Sequence, residues 1–160
     1  MNTKSVAPCG IICDICLGFQ RDKNRCSGCN SVGERLGYCE GCRIKTCPGK
    51  NGNDKELCIK CAKFPCRRIK NLDKRYRTKY GENVIQNLQT ISRIGIRAFI
   101  KQEQEKWKCA QCGKLLCVHR GVCLVCGAKN NNFPDHFRDI TKMAGAGGRK
   151  RKNTRKKHEG

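Results

Sequence analysis

Long apolar runs and aromatic side chains are scarce in this sequence. No segment approaches the roughly 18 consecutive apolar residues of a membrane-spanning helix, and aromatic residues make up only 6% of the chain. The first ten residues also lack the charged segment, followed by an apolar run, of a secretory leader. We therefore expect a cytoplasmic protein that has no membrane partner.

Residues that commonly perform catalysis are also few. The chain has 13 acidic residues and three histidines, which are His119, His136 and His158. It contains no HExxH sequence, no HxE combined with a CxxC pair and no phosphate-binding glycine loop. A catalytic metal normally keeps an open coordination position beside a general acid or base. Because the sequence indicates no such arrangement, we predict that the protein is not an enzyme.

Cysteine, in contrast, is abundant, with 16 residues in a chain of 160. Only 38% of the chain is hydrophobic even when the cysteines are counted, so the apolar core is expected to be thin. In a reducing compartment the thiols are predicted to bind metal ions rather than to form disulfides. Metal sites would then supply stability that a small core does not.

Most of the cysteines form CxxC pairs, a spacing that lets both thiolates reach one tetrahedral ion from a tight turn. The pairs are Cys13/Cys16, Cys26/Cys29, Cys39/Cys42, Cys58/Cys61, Cys109/Cys112 and Cys123/Cys126. The simplest grouping in the N-terminal part joins the first and second pairs at one ion and the third and fourth pairs at another. Cys9, Cys47 and Cys66 then remain. They could complete a third site, bridge two ions, or replace members of these pairs.

The last two CxxC pairs give the most specific metal-binding pattern. They are separated by ten residues, and Gly113 and Gly127 follow them where the backbone of a zinc knuckle turns. This spacing predicts a short zinc ribbon. Cys117 and His119 lie between the two pairs and are additional potential ligands, although a surface imidazole is the favoured interpretation of His119.

We predict three or four zinc ions, bound by these pairs together with Cys9, Cys47 and Cys66. An iron–sulfur cluster is the main alternative, because clusters are also held by cysteines at short spacings. Cys9, Cys13 and Cys16 form the CxxxCxxC spacing of radical enzymes that bind S-adenosylmethionine. The chain has no alternation of strands and helices from which to build the barrel of such an enzyme.

Helical periodicity replaces the cysteine pairs between residues 67 and 107, and it predicts two or three helices. The apolar positions that follow the helical spacing are Val84, Leu88, Ile91 and Phe99, with Ile85, Ile96 and Ile100 beside them. A first helix is expected from near Pro65 to about Lys79. Its inward positions are Ile69, Leu72 and Tyr76, and the expected helix breaks are Gly81 and Gly95.

The predicted fold class is therefore a small, metal-stabilised mixture of helices and irregular structure. The predicted order is a cysteine-rich metal-binding module over residues 1–66, a helical segment over 67–107, a zinc ribbon over 108–128, and a linker with a basic tail over 129–160. The tail is expected to be disordered when it is free in solution.

The formal net charge of +22 indicates a polyanionic partner and favours a monomer. Zinc bound by four thiolates carries a charge of about −2, which would lower the total to about +15. Two stretches are predicted to contact nucleic acid, one in the first helix and one in the tail. Their cations are Lys74, Arg75, Arg77, Lys79, Arg149, Lys150, Arg151, Lys152, Arg155, Lys156 and Lys157. In the helix, Tyr76 and Tyr80 either stack on unpaired bases or pack inward beneath a solvated face.

These features predict a zinc-stabilised RNA-binding protein that associates with the ribosome, with ribosomal RNA as its main partner and ribosomal proteins as further partners. One alternative is an iron–sulfur protein of redox chemistry or electron transfer. A second alternative is a zinc-dependent adaptor between proteins.

Several motifs together resemble a small cysteine-rich prokaryotic family known as domain of unknown function number 3795. They are CGIICDIC, CSGC, CIKCAKFPC, a helical stretch that ends in KW, and the two CxxCG sequences. The resemblance covers about residues 7–128. It implies metal-bound knuckles around a helical middle, and it implies no activity. The basic tail after about Met143 lies outside the shared pattern.

Overall fold

The computed structural model describes residues 1–33, 37–50, 52–53 and 55–135. In these ranges the helices are α1 (Leu17–Gln20), α2 (Gly37–Glu40), α3 (Arg67–Tyr80), α4 (Val84–Ile94) and α5 (Ile96–Lys106). Short 3-10 turns lie at Thr3–Ser5, Cys13–Ile15, Pro48–Lys50 and Cys58–Lys60. The described residues contain isolated β-bridges but no strand. The small, cysteine-rich and helical character that the sequence predicted is therefore confirmed.

Two further predictions concern a membrane span and the basic tail. The described part of the chain contains no helix that is both long and apolar enough to cross a membrane. The predicted tail contacts from Arg149 to Lys157 lie outside the described residues.

Helix α3 begins and ends close to its predicted limits. Cys66 has extended backbone at the N-cap, so the helix begins at Arg67 rather than near Pro65. Gly81 ends the helix with a φ of +70°, a conformation that side chains with a Cβ rarely adopt. A Cβ at this glycine would also lie 2.4 Å from the backbone oxygen of Asn132. The break predicted at Gly81 is confirmed, and Gly95 likewise separates α4 from α5.

The apolar stripe predicted for the helical segment forms the centre of the core. Val84, Leu88, Ile91, Phe99 and Ile100 are all buried. The remaining predicted inward positions follow the same pattern: Ile69 is buried, and Leu72, Tyr76, Ile85 and Ile96 are half-buried. Helix α4 packs against both α3 and α5. The helical periodicity therefore identified the packed faces correctly.

Residues from both ends of the described chain complete this core. Val6, Ile12 and Ile15 belong to the same buried cluster as Trp107 and Val118. The amide of Val118 donates to the Ile15 carbonyl at 2.8 Å, which joins the first turns to the C-terminal part. The N-terminal and C-terminal segments therefore share one core rather than each forming its own.

The chain after residue 129, where the sequence predicted a linker, continues to pack on the body as far as Phe133. Asn130 is fully buried, and its side-chain amide donates to the carbonyls of Cys117 and Arg120. Phe133 is buried as well, and the side-chain amide of Asn132 donates to the Lys106 carbonyl at 2.7 Å.

A buried polar network connects the start of α4 with the end of α5. The Glu82 carboxylate is 1% exposed and accepts from the Asn87 side-chain amide at 2.6 Å and from the Lys106 ammonium at 2.7 Å. The same lysine lies 3.4 Å from Glu103, which also accepts from the Trp107 indole at 3.0 Å. Lys106 is therefore the cation that compensates two buried carboxylates.

We expect the substitution Lys106→Met to lower the free energy of unfolding by about 2 kcal/mol, because it leaves the buried Glu82 carboxylate without its ammonium partner. The measurement is urea unfolding of the metal-loaded protein. Lys101→Met is the matched control, since Lys101 is an exposed lysine of the same helix. Equal stability of the two variants would contradict the role of Lys106 as the cation that compensates the buried carboxylates.

Candidate metal centre

Four cysteines of the C-terminal part converge on one point. The Sγ atoms of Cys109, Cys112, Cys123 and Cys126 all lie within 4.8 Å of one another. Two of the sulfur–sulfur distances are 3.6 Å, from Cys109 to Cys126, and 3.7 Å, from Cys112 to Cys123. A tetrahedral ion with metal–sulfur bonds of about 2.3 Å requires its sulfurs to be about 3.8 Å apart. The cluster therefore has the dimensions of a four-thiolate metal site.

The two CxxC pairs reach this point through backbone turns of the same form. In the first turn, the Gly113 amide donates to the Cys109 carbonyl at 2.9 Å, and in the second turn the Gly127 amide donates to the Cys123 carbonyl at 3.0 Å. Both glycines have positive φ, at +69° and +75°. The two turns face each other, so each contributes two sulfurs to the cluster. The backbone turns predicted at Gly113 and Gly127 are therefore present.

Backbone amides of these turns favour the thiolate form of their cysteines. Amides of Cys112 and Gln111 lower the pKa of Cys109 to about 6. The amide of Cys126 likewise lowers the pKa of Cys123. The Ala128 amide lowers the pKa of Cys126, but the neighbouring thiols, led by Cys112, outweigh it and raise that pKa to about 12. Thiolates so close together repel one another, and a bound cation would remove that repulsion.

Cys117, which the sequence offered as an additional ligand, lies outside this cluster. Its side chain is fully buried, and burial raises the pKa of its thiol. A thiol in an apolar setting of this kind behaves as a small core residue.

His119 was expected to be a surface imidazole, but this expectation is wrong because the side chain is half-buried. Its Nδ1 accepts from the Leu17 amide at 3.3 Å, and its Nε2 lies 3.4 Å from the Tyr76 hydroxyl. The Tyr80 ring packs edge-on against the imidazole, with 4.6 Å between ring centroids. Burial, with a contribution from Arg120, lowers the pKa of His119 to about 4. Because Nδ1 accepts a hydrogen bond, we assign the proton of the neutral ring to Nε2, from which it donates to Tyr76.

Eleven cysteines of the N-terminal part are spread over a wider region. The Cys29 amide donates to the Cys13 sulfur at 3.3 Å, and the Gly28 amide donates to the Cys26 sulfur at 3.4 Å. Burial raises the pKa of Cys39 to about 12, and the thiols of Cys29, Cys26, Cys16 and Cys42 add to the rise. In the described ranges, the C-terminal cluster is the one group of three or more potential ligands whose ligand atoms all lie within 4.8 Å.

Cys58 has different neighbours from those that the order of the pairs suggested. Burial raises the pKa of its thiol to about 11. Lys50 opposes this rise, and the thiols of Cys66, Cys47 and Cys61 add to it. The simplest grouping from the sequence had instead joined the Cys58/Cys61 pair to the Cys39/Cys42 pair. The three cysteines that remained unpaired in that grouping, Cys9, Cys47 and Cys66, all have Cys58 as a neighbour.

The predicted nucleic-acid contacts in the helical segment are accessible, but the tyrosines among them are not free. Lys74, Arg75, Arg77 and Lys79 are exposed on α3. Tyr76 and Tyr80 are half-buried and pack edge-on against each other, with 5.2 Å between ring centroids, as well as against His119. The inward packing of both tyrosines, one of the two alternatives from the sequence, is therefore confirmed.

The fold and the cysteine cluster define the class of this protein: small, cysteine-rich, helical in its regular structure, and equipped with a candidate four-cysteine metal site. A scan against protein-family models found no match, and searches of the curated proteins and of the solved structures found none either.

We expect the double substitution Cys112→Ser/Cys126→Ser to remove one metal ion per chain, because it leaves only two thiolates in the cluster. Elemental analysis of the purified protein measures the change. Cys117→Ala is the matched control and should leave the metal content unchanged, since this buried cysteine is outside the cluster. A metal content that is the same in the double variant and the native protein would exclude the site.

We also expect His119→Phe to destabilise the metal-loaded protein by about 1 to 3 kcal/mol, because the ring is kept but the Leu17 amide loses its acceptor. His119→Asn places an amide oxygen near the position of Nδ1 and should recover part of the loss. Urea unfolding measures both. If the two variants are as stable as the native protein, the hydrogen bond to Leu17 does not contribute.

Proposed function

We propose that the protein is a zinc-stabilised RNA-binding protein that associates with the ribosome and contacts phosphates through α3 and the basic tail. One observation carries this proposal: α3 presents seven cations to solvent and no exposed carboxylate. The exposed cations are Arg67, Arg68, Lys70, Lys74, Arg75, Arg77 and Lys79. At 1.5 Å per residue a helix of this length extends for about 21 Å, which is enough to follow several phosphates.

The single acidic residue of α3 does not offset this charge, because it is used inside the structure. Asp73 is 4% exposed. Its carboxylate accepts from the Arg77 guanidinium at 2.8 Å and from the Ile85 amide at 3.1 Å, and so it joins α3 to the start of α4. Arg77 is therefore partly engaged in holding the helix, and Lys74, Arg75 and Lys79 are the stronger candidates for phosphate contacts.

The inward packing of the tyrosines affects the kind of recognition that we propose. Base stacking by Tyr76 and Tyr80 would require both rings to leave the contacts with His119. Contacts by cations alone go to the phosphate backbone, which positions a protein but carries little sequence information. The proposed binding is consequently electrostatic and strongly dependent on salt.

Zinc in a ribbon-like site would support the position of α3 indirectly. The cysteine cluster begins two residues after Trp107, whose carbonyl accepts from the Leu116 amide at 2.7 Å. From the same segment, His119 contacts Tyr76 on the inner face of α3. A metal that fixes the two cysteine turns would therefore also fix the surface beneath the basic helix.

A protein adaptor is a second candidate, and an exposed apolar loop favours it. Val122, Leu124 and Val125 are each at least 45% exposed, and all three belong to the second cysteine turn. Exposed apolar side chains grouped in this way are typical of contact with another protein. Co-purification of a protein that persists after nuclease treatment would support the adaptor over the RNA-binding proposal.

A single iron ion is the alternative occupant of the four-cysteine cluster, because four tetrahedral sulfurs suit zinc and iron alike, and the other cysteines could hold an iron–sulfur cluster. Anaerobic purification followed by analysis for zinc, iron and inorganic sulfide separates the two. Stoichiometric iron with sulfide would replace the RNA-binding proposal with redox chemistry.

We expect the triple substitution Lys74→Gln/Arg75→Gln/Lys79→Gln to weaken binding to ribosomal RNA and to a single-stranded oligouridine. For single strands, each lost phosphate contact reduces the slope of log K against log salt by about 0.7, so three lost contacts reduce it by about 2. Fluorescence anisotropy over a range of salt concentrations measures both quantities. The same measurement on a chain that ends at residue 144 tests the tail.

The matched control is Arg93→Gln/Arg97→Gln/Lys101→Gln, which removes the same charge from exposed positions of α4 and α5. It should reduce the affinity and the salt slope less than the α3 variant does. Circular dichroism and metal content establish that both variants remain folded. Equal effects of the two triple variants, or no effect of either, would refute a specific role for α3.

A further inference from the structure

Four cysteines outside the C-terminal cluster lie in one region beside the start of α3. A Cβ on Gly49 would lie 3.7 Å from the Cys61 sulfur and 3.8 Å from the Cys47 sulfur, so both sulfurs face this glycine. Cys58 and Cys61 belong to one tight turn, in which the Cys61 amide donates to the Cys58 carbonyl at 3.1 Å. Cys66 is the N-cap of α3 and packs against the small apolar cluster that includes Cys58.

A buried lysine beside these cysteines requires an anion. Lys50 is 4% exposed, and its ammonium has no hydrogen-bond partner among the described residues. It is close enough to Cys58 to stabilise the thiolate of that residue. Burying an uncompensated charge costs several kcal/mol, so a buried ammonium is normally paired. Among the described residues, the thiol of Cys58 is a neighbour of Lys50 that can become anionic.

A second cation contacts the same group from α3. The Arg68 guanidinium donates to the Cys47 sulfur at 3.3 Å and to the Arg43 carbonyl at 3.2 Å. Cations therefore lie beside two of the four cysteines, Arg68 at Cys47 and Lys50 at Cys58. Coordination of a divalent ion by four thiolates releases four protons and leaves a net charge of −2, which Lys50 and Arg68 together would neutralise.

We propose that Cys47, Cys58, Cys61 and Cys66 bind a second divalent metal ion as four thiolates, with Lys50 and Arg68 as its counter-ions. The sulfurs are farther apart here than in the C-terminal cluster, where all four lie within 4.8 Å. Binding of the ion therefore requires these sulfurs to move closer together. The site joins the segment that carries Cys47 to the N-terminus of α3, and its existence does not depend on RNA binding.

Cadmium-113 NMR of the full native chain tests the ligand set without a substitution. In protein loaded with cadmium-113, correlations to cysteine Hβ protons identify the cysteines that share an ion. We expect one cadmium to correlate with Cys47, Cys58, Cys61 and Cys66. Correlation of the Cys58/Cys61 pair with Cys39 and Cys42 at a single ion would overturn the proposal, as would the absence of cadmium at Cys47 and Cys66.

Counting metal ions in variants provides a second test of the grouping. Cys47→Ser/Cys66→Ser should lose one ion per chain and retain the ion of the C-terminal cluster. Adding Cys58→Ser to this pair should remove no further ion, because all three cysteines serve the same site. A further loss on adding Cys58→Ser would place Cys58 at another ion and contradict the grouping.

The role of Lys50 is tested by the rate at which the metal ion is released to a chelator. Lys50→Met keeps an apolar side chain of similar length but removes the cation, and we expect release of this ion to a chelator to become about 10-fold faster or more. Lys60→Met is the matched control, because Lys60 is an exposed lysine in the same part of the chain. An unchanged rate in Lys50→Met would remove Lys50 from the proposed site. RNA affinity is measured separately, so failure of this proposal would leave the RNA-binding proposal open.

Discussion

The close approach of four cysteine sulfurs is the constraint on which the C-terminal part depends. As thiolates they would repel one another at about 3.8 Å, and a bound cation would offset that repulsion. The two turns that carry these sulfurs adjoin Trp107 and Leu116, which pack with Val6 and Ile12 in the main core. The cysteine cluster therefore fixes residues that hold both ends of the described chain together.

Three acidic side chains of the helical segment act inside the structure. Asp73, Glu82 and Glu103 are all buried, and each accepts hydrogen bonds that join one helix to the next or close the end of one. Apart from the buried Lys50, most cations of the described residues remain exposed, because they greatly outnumber the carboxylates that could pair with them. The exposed surface of α3 is consequently more basic than its composition alone indicates. The separation of charge between interior and surface is what makes a polyanionic partner the best-supported proposal.

Features that depend on residues close in sequence were predictable. The helices followed from apolar spacings of three and four residues, and their ends from Gly81 and Gly95, because both signals act within one or two turns of backbone. The cluster of Cys109, Cys112, Cys123 and Cys126 followed from two pairs that each lie on one glycine-containing turn. The sequence also indicated that α3 is basic, but it left open whether Tyr76 and Tyr80 face the solvent.

Only the tertiary structure decided which distant residues meet. His119 accepts from the amide of Leu17, which is 102 positions away, and no local pattern relates the two. Nothing in the sequence around Lys50 indicates that this lysine is buried, yet the fold buries it beside Cys58. By itself the sequence determined the abundance of metal-binding thiols, the helical segment and the excess of positive charge. The partners of each buried group were set by packing, because contacts between distant segments depend on how the whole chain closes around its core.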